Sequence, residues 1–428
     1  WTLFSTWMTI FTVVVTLNLQ GGGFNNAMVK YENARDRFLS SMIGLTTVLT
    51  GIWIVLLFIF GKGFEKVTDL PISYLFIMFV TIAMSQVYLL WAQEKRYDYQ
   101  YRPLILVTVI ISILTPVISI LFVYYSKDKV YGRLIGNLII NLIVSIVIAA
   151  IIMRRGRTFY DKDYWKFALC FNIPLIPHYL SQIVLASSDR IMIGRMCGEE
   201  YAAYYGISYN IATIVNIILN SICSALTPWV YEKLKAKSYE NIAKIESALA
   251  IFFVVITMIP ILVGPEVIAI MAPSEYKSAL WVIPPVSCSV YFMYLYNIYS
   301  NIEFFYEQKR MVAIGSVVTA GVNIVLNYIF IGLFGFVAAG YTTLICYMFY
   351  SVCHFLFSRK VLRDKGITAR LYDNRLLLVF GGIALLITVL SNFLYLNNIV
   401  RYITLAVMAV FCIVKRDKIL GIIKLIRN

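Results

Sequence analysis

Apolar residues are grouped into long runs that short polar segments interrupt, and this pattern extends along the whole chain. A helix that crosses a membrane needs about 20 predominantly apolar residues. Thirteen runs are predicted to form such helices, at residues 1–19, 39–60, 71–92, 103–124, 134–153, 167–187, 204–229, 247–264, 279–300, 311–331, 336–357, 375–394 and 400–414. The pattern therefore predicts an all-α polytopic membrane protein with about 13 spans.

The basic residues between these spans indicate how the chain is oriented. If the last residues lie in the cytoplasm, 28 of the 37 Lys and Arg fall on the cytoplasmic side and 9 on the outer side. The acidic residues are distributed less unevenly, with 14 on the cytoplasmic side and 8 on the outer side. This is expected when Lys and Arg carry the orientation signal. We therefore expect a cytoplasmic C-terminus and an outer N-terminus. The simplest explanation of the odd number of spans is that a first helix is missing from this sequence.

Composition restricts the classes of function that the chain can have. Hydrophobic residues make up 61% of it and charged residues 14%, against roughly 45–50% and 25% in soluble domains. The segments between spans are too short for an ordinary soluble catalytic domain. The net charge of +15 arises from residues at span ends, as anchoring to anionic lipids requires. Membrane lipids are thus expected partners, and nucleic acid is not.

Signatures of catalysis and of cofactor binding are scarce. The chain has two His residues, His178 and His354, too few for a multi-His metal cluster, and its seven Cys form no C-x-x-C pair. It contains neither a Walker-type nucleotide-binding loop nor a G-x-S-x-G nucleophile elbow. We expect no metal, no cofactor and no enzymatic activity.

Similar short strings at span ends indicate an internal repeat. Gln93–Arg96 (QEKR) precedes one pair of helices, and Glu307–Arg310 (EQKR) precedes another 214 positions later. Two six-helix lobes, the first without its first helix, would form a parallel repeat about an axis along the membrane normal. The predicted division is an N-lobe at 1–153, a cytoplasmic linker at 154–166, a C-lobe at 167–358, and two added spans with a basic tail at 359–428.

Polar side chains recur at helical spacing on four predicted spans of the second lobe. Such residues are costly inside a membrane and tend to face the interior of the bundle. Hydrogen bonds between helices, each about 0.6 kcal/mol, would explain any one stripe, whereas four stripes in one lobe favour a hydrated cavity. The stripes are His178, Gln182 and Asp189; Tyr209, Thr213, Asn216 and Asn220; Tyr294, Asn297 and Asn301; and Thr319, Asn323 and Asn327.

Charged and titratable residues near the spans are candidates for substrate contact. Asp189 and Arg190 lie where the sixth span is predicted to reach the outer side, and adjacent residues of a helix do not face each other. They would either cap the span at the interface or, for Arg190, bind a pyrophosphate group. Arg133 and Arg37 are weaker candidates. His178 would be a proton-sensitive group of the cavity or a hydrogen-bonded structural residue. The cavity candidates are Arg190, Asp189, His178, Gln182, Asn216, Asn220, Asn297 and Asn323.

Two segments resemble motifs of a known transporter family. Ser188–Gly194 (SDRIMIG), preceded by Pro174 and Pro177, resembles the S-D-R-x-M-I-G segment that follows the seventh helix of polysaccharide-transporter flippases. Asn323–Tyr328 and Gly332–Thr343 resemble the turn between the eleventh and twelfth helices of that family. Over essentially its whole length, the chain is similar to the O-antigen, capsule and exopolysaccharide flippases of the multidrug/oligosaccharidyl-lipid/polysaccharide exporter superfamily.

The resemblance implies a fold, a substrate and a location. The fold would have two six-helix lobes and two added helices, as in multidrug-extruding and lipid II flippases. The protein would be a multi-pass flippase of a bacterial or archaeal cytoplasmic membrane, acting in polysaccharide biosynthesis. Its partners would be a polyprenyl-diphosphate-linked glycan and other polysaccharide-assembly proteins.

Two other functions are compatible with the residues. A multidrug or cation antiporter of the same fold is expected to have an intramembrane carboxylate for coupling to protons or sodium. The sequence places Asp189 near a span exit and no acidic residue in the middle of a span, which disfavours the antiporter. A membrane-embedded sugar transferase is ranked last, because the outer loops contain no suitable segment for a catalytic carboxylate.

Overall fold

A computed structural model describes residues 2–414, which form helices joined by short turns. The prediction of an all-α protein is confirmed. Short 3₁₀ segments lie at Glu32–Ala34, Ile173–Leu175 and Ser274–Val282. The helices are α1 Thr2–Thr16, α2 Gly22–Lys30, α3 Arg35–Thr68, α4 Ile72–Tyr97, α5 Tyr101–Tyr125, α6 Lys129–Gly156, α7 Lys162–Asn172, α8 Ile176–Met196, α9 Glu199–Lys235, α10 Tyr239–Met271, α11 Ile283–Phe305, α12 Lys309–Phe334, α13 Ala338–Asp364, α14 Asn374–Leu396 and α15 Asn398–Val414.

The helices account for the predicted membrane spans. Within residues 2–414, 11 helical segments are long and apolar enough to cross a membrane, and two shorter apolar helices lie at Leu3–Thr16 and Asn398–Val410. Together they coincide with the thirteen predicted spans, so the chain is a multi-pass membrane protein. Its orientation stays a prediction, and most of the basic tail lies outside the described residues.

The chain divides into two compact units between Leu180 and Ser181, within α8. The division predicted from loop charge lies earlier, at 154–166. Helix α7 accounts for the difference because it packs against α2 and α3 of the first unit, where the indole N–H of Trp165 donates to the carbonyl of Ser41 at 3.1 Å. The lobe limits and the cytoplasmic position of the linker stay predictions.

Each unit contains the same succession of packed helices. In the first, α4 packs against α3 and α6, and α5 packs against α6; in the second, α11 packs against α10 and α13, and α12 packs against α13. The turns after α4 and α11 also match: Tyr99 and Glu307, 208 positions apart, both have a left-handed φ of 56°. In both turns the N–H of the next residue donates to a carbonyl five residues back, at 2.8 and 2.7 Å.

The short strings that indicated the repeat are not structurally equivalent. Gln93–Arg96 belongs to the last turns of α4, whereas Glu307–Arg310 forms the turn after α11 and the start of α12. The matching turns are 208 positions apart, and the strings are 214 apart. Basic residues anchor the ends of many membrane helices, so similar strings recur on either side of a turn without sharing a register.

Aspartate caps set the starts of three helices. The side chains of Asp128, Asp161 and Asp373 accept backbone N–H groups of the first turns of α6, α7 and α14, at 2.9–3.2 Å, which satisfies donors that have no partner within the helix. Hydrogen bonds from the Tyr74 hydroxyl and the Tyr131 N–H hold the pKa of Asp128 below its usual value. The stabilisation from this cap is therefore complete above the pKa of a free aspartate and is lost only as the pH falls through the lowered value.

Helix α3 approaches the segment after α6 so closely that a side chain at Gly44 would meet the backbone. A Cβ atom there would lie 2.0 Å from the carbonyl oxygen of Phe159. We expect Gly44→Ala to force the two segments apart and to lower the free energy of unfolding by about 1–3 kcal/mol. The midpoint of thermal unfolding of the purified protein in detergent measures this change.

Gly51 provides a matched control on the same helix. A Cβ atom at Gly51 would have nothing within 4 Å, and Ala is preferred to Gly inside a helix by about 0.5–1 kcal/mol. Gly51→Ala should therefore leave the unfolding midpoint unchanged or raise it. The same midpoint for both variants would contradict the close approach at Gly44.

Candidate functional site

The motif Ser188–Gly194 lies in the second half of α8. Pro174 and Pro177 lie in the 3₁₀ turn before this helix and in its first turn, where a missing N–H breaks no helical hydrogen bond. The helix ends at Met196, shortly before Gly198 adopts a φ of 117°, a conformation that favours glycine. The motif thus begins about two turns before the end of the helix, inside the bundle.

The carboxylate of Asp189 is 1% exposed and accepts hydrogen bonds from three other helices. The Asn327 amide on α12 donates to its Oδ1 at 2.6 Å. The hydroxyls of Tyr205 on α9 and Thr343 on α13 donate to its Oδ2, each at 2.7 Å. Hydrogen bonds to a carboxylate are roughly twice as strong as neutral ones, and they offset the cost of removing the charge from water. The carboxylate therefore joins four helices of the second unit.

Two asparagines extend this network along α12. The Asn327 amide also donates to Oδ1 of Asn323 at 3.2 Å, and the Ser188 hydroxyl donates to the same oxygen at 2.8 Å. The Thr342 hydroxyl donates to Oδ1 of Asn327. The structure thus brings Asp189 and Asn323 into one cluster, and the hydrogen-bonding partners described above all lie within the second unit. This arrangement is an interhelical hydrogen-bond network, and contact with a substrate stays a prediction.

Arg190 points away from this buried cluster because successive residues of a helix are rotated by about 100°. Its side chain is exposed. The guanidinium lies 5.0 Å from the ring centroid of Tyr209, and Nη2 donates to Oδ1 of Asn210 at 3.5 Å. Both partners are uncharged and belong to α9. No ion pair joins Arg190 to a carboxylate among residues 2–414.

Gln182 belongs to a second polar cluster, one that sequence reasoning missed. Its Nε2 donates to the Tyr350 hydroxyl at 2.8 Å, and Tyr350 packs against the ring of His354 at 4.6 Å. His354 Nδ1 lies 2.8 Å from Oε1 of Glu303, and both side chains are fully buried. The spacing of four between Tyr350 and His354 places both on one face of α13, a signal that the sequence analysis left unused. The ring of Tyr296 stacks on that of Tyr350 at 4.2 Å.

The other candidate residues are dispersed. His178 is 4% exposed and lies in the first unit, where its ring contacts that of Tyr179 at 4.9 Å. The Asn297 amide donates to the carbonyl of Met293 on its own helix at 2.8 Å. Asn220 is exposed, whereas Oδ1 of Asn216 is buried without a hydrogen-bond partner in the described part of the chain. Within the second unit, the structure therefore does not gather the predicted residues into one cluster.

Two acidic residues that lie outside the predicted spans are buried inside helices. Glu246 and Glu303 are 1% and 0% exposed and lie within α10 and α11. Glu246 accepts a hydrogen bond from the Tyr294 hydroxyl at 2.7 Å. Both glutamates lie just outside the apolar runs, and sequence reasoning placed them in loops because the helices extend beyond those runs. Among the described residues, no three His, Cys, Asp or Glu side chains converge on a metal-binding position.

Substitutions at Asp189 test whether its carboxylate holds the four helices together. Asp189→Ala leaves the buried hydroxyls of Tyr205 and Thr343 without this acceptor and the Asn327 amide with Asn323 alone. We expect a loss of about 3 kcal/mol or more in the free energy of unfolding. Asp189→Asn retains an acceptor for the Asn327 amide, and its own amide can donate to the Tyr205 and Thr343 hydroxyls. We therefore expect that variant to lose only about 1 kcal/mol.

Denaturant unfolding in detergent, followed by intrinsic fluorescence, measures both Asp189 variants. Arg190→Ala is the matched control at the adjacent position and should change stability little, because the Arg190 side chain is exposed. A loss as large for Asp189→Asn as for Asp189→Ala would contradict the proposed donor and acceptor arrangement.

Comparisons with known proteins agree with this architecture. The model of a family described as polysaccharide biosynthesis protein matches residues 2–234. A curated relative, Lsg locus putative protein 1 of Haemophilus influenzae, is 23% identical over 239 residues, which is 55% of this chain and 57% of the relative. The chain thus matches little more than half the length of this relative.

Solved transporter structures share the fold. An outward-facing multidrug resistance MATE family transporter of the MOP superfamily has a TM-score of 0.68 at 15% identity, over 86% of this chain and 87% of that one. A MOP superfamily transporter from Pyrococcus furiosus has a TM-score of 0.66 at 15% identity, over 86% and 88%. At these identities the comparison establishes the fold. Since the family model covers more than half of the sequence, the chain belongs to the polysaccharide biosynthesis protein family.

Proposed function

We propose that the protein is a flippase that moves a polyprenyl-diphosphate-linked oligosaccharide across the cytoplasmic membrane for polysaccharide biosynthesis. The observation that carries this proposal is the combination of a polysaccharide-biosynthesis family match over residues 2–234 with the MOP-superfamily fold over 86% of the chain. Glycans that are built on one side of a membrane must reach the other side. A polysaccharide-biosynthesis protein with a transporter fold is suited to move them.

Arg190 supports the proposal by its chemistry and its position. The diphosphate is the part of such a substrate that is most costly to move through hydrocarbon. An exposed guanidinium can donate paired hydrogen bonds to phosphate oxygens, and Tyr209 and Asn210 beside it offer an aromatic face and an amide for sugar groups. The network around Asp189 holds the backbone from which Arg190 projects. In this proposal Asp189 is a positioning residue, and Arg190 contacts the substrate.

The remaining polar candidates would line the path of the sugars. Gln182 and Asn297 are partly exposed and Asn220 is exposed, so their amides are accessible to water or to a hydroxyl-rich ligand. Asn216, also partly exposed, and the buried His178 are further candidates for the same path. The prenyl tail would remain in lipid while the head group crosses by alternating access.

An antiporter of the same fold is the second candidate function, and the Glu303–His354 pair favours it. A buried carboxylate 2.8 Å from an imidazole nitrogen can exchange a proton with it, and exchangeable protons inside spans are typical of coupled transporters. Oε2 of Glu303 and Nε2 of His354 have no hydrogen-bond partner in the described part of the chain. The two candidate functions differ in which molecule accumulates when the gene is deleted.

Deletion of the gene tests the flippase directly. We expect one intact polyprenyl-diphosphate-linked repeat unit to accumulate in the cells, because its synthesis continues while its export stops. Mass spectrometry of extracted lipid-linked glycans measures the pool and identifies the glycan. An unchanged pool in a cell without a second flippase, together with greater sensitivity to cationic drugs, would favour the antiporter instead.

Arg190→Ala tests the contact with the diphosphate. Loss of a charge-assisted hydrogen bond costs about 1.5–3 kcal/mol, so we expect surface polysaccharide in the complemented deletion strain to fall by about tenfold or more. Arg195→Ala is the matched control, because Arg195 is also exposed and lies on the same helix. Full export by a well-expressed Arg190→Ala protein would show that Arg190 does not contact the substrate. The flippase function itself would still be decided by the deletion experiment.

A further inference from the structure

A basic cavity lies in the second unit where α13 ends and α14 begins. Its volume is about 970 Å³. The last turns of α13, the connecting segment 365–373 and the first residues of α14 form its walls, together with Ala243 of α10. Five of the lining side chains are basic: Arg359, Lys360, Arg363, Arg370 and Arg375.

This positive charge is not balanced by the lining itself. Asp373 is the one carboxylate that lines the cavity among the described residues, and its Oδ1 accepts the N–H of Leu376 at 3.1 Å as the cap of α14. Arg363 lies 3.8 Å from Asp364, but both side chains are largely exposed, and such pairs contribute little. Cations held around one cavity repel each other, and a bound anion would relieve that repulsion.

The wall formed by the connecting segment is fixed by packing. Leu371 and Tyr372 are buried in the core of the second unit. The Tyr372 hydroxyl donates to the carbonyl of Ile298 at 2.7 Å, and its ring packs edge-on against Tyr299 at 5.3 Å. Burial raises the pKa of Tyr372 well above its usual value, so the hydroxyl keeps the proton that it donates. The basic residues on either side of Tyr372 are therefore attached to an anchored backbone.

Apolar residues share the lining with the cations. Phe355, Leu356, Leu362 and Ile367 face the same cavity, and the guanidinium of Arg359 lies 5.6 Å from the Phe355 ring centroid. Helices α13 and α14 are both candidate membrane spans, so the cavity lies where two candidate spans end, which is where a membrane helix approaches the lipid head groups. Anchoring of spans by the positive-inside rule explains why basic residues lie at span ends. It does not explain why these basic residues surround a cavity that has apolar walls.

We propose that this cavity binds the phosphate head group of an anionic membrane lipid. The guanidinium groups would donate to the phosphate oxygens, and the apolar wall would contact the glycerol and the first methylenes of the chains. The volume lies within the range of about 300–1,000 Å³ that is usual for ligand sites. The proposal is independent of which substrate the protein transports.

Lipid binding to the full-length protein in a nonionic detergent tests the proposal. Native mass spectrometry with added cardiolipin, phosphatidylglycerol or zwitterionic phosphatidylethanolamine gives the dissociation constants, and inorganic pyrophosphate serves as the soluble competitor. The cavity variant is Arg363→Gln with Arg370→Gln. The control is Lys237→Gln with Arg310→Gln, which removes the same charge from exposed positions at other helix ends.

We expect the wild type to prefer the anionic lipids, the cavity variant to bind them about tenfold more weakly, and the control to change little. Equal weakening in both variants, or no preference for anionic lipid, would overturn the proposal. Pyrophosphate that binds as tightly as cardiolipin and displaces it would assign the cavity to a soluble phosphate compound and overturn the lipid assignment. Should the double variant fold poorly by its thermal midpoint, Arg370→Gln alone applies the same test at one exposed position.

Discussion

Four helices of the second unit meet at one carboxylate. Asp189 lies in an apolar bundle, where an unpaired carboxylate would be far too costly to retain, so donors from α9, α12 and α13 must converge on it. Their hydrogen bonds of 2.6–2.7 Å constrain the position and rotation of each helix about α8. The same constraint determines which side chain follows: with Asp189 turned inward, Arg190 is directed to the exposed face beside Tyr209.

Other titratable side chains inside the units are accommodated in a similar way, by a partner on another helix. In the first unit Arg155 on α6 pairs with Glu94 on α4 at 2.6 Å. In the second unit Glu303 on α11 meets His354 on α13. The helix pairs α4 with α6 and α11 with α13 correspond in the internal repeat, so both units link equivalent helices through a polar contact, with different residues. The two units therefore share the arrangement of their helices, although the similar strings Gln93–Arg96 and Glu307–Arg310 occupy different positions in it.

The basic residues divide into two groups by what surrounds them. Arg155 is paired with a carboxylate, and Arg401, 2% exposed, is paired with Glu266, so their charges are used within the fold. Arg190 and the five basic residues of the cavity at the end of α13 are exposed. The exposed basic residues can therefore bind an anion that comes from outside the fold. For this reason Arg190 and the basic cavity are both proposed to recognise phosphate.

The sequence by itself determined the features that depend on local periodicity and composition. Runs of apolar residues predicted the number and approximate limits of the membrane spans, and the spacing of Asn323 and Asn327 placed both on one face of α12. The motif around Asp189 also resembles that of the transporter family, independently of any tertiary contact. Which residues meet was decided only by the tertiary structure. Gln182 and Asp189 share a face of α8 yet join different networks, and Glu303 is buried although it lies beyond an apolar run. The physical reason is that a hydrogen bond between helices depends on how separate segments of the chain pack together, and no local pattern records that packing.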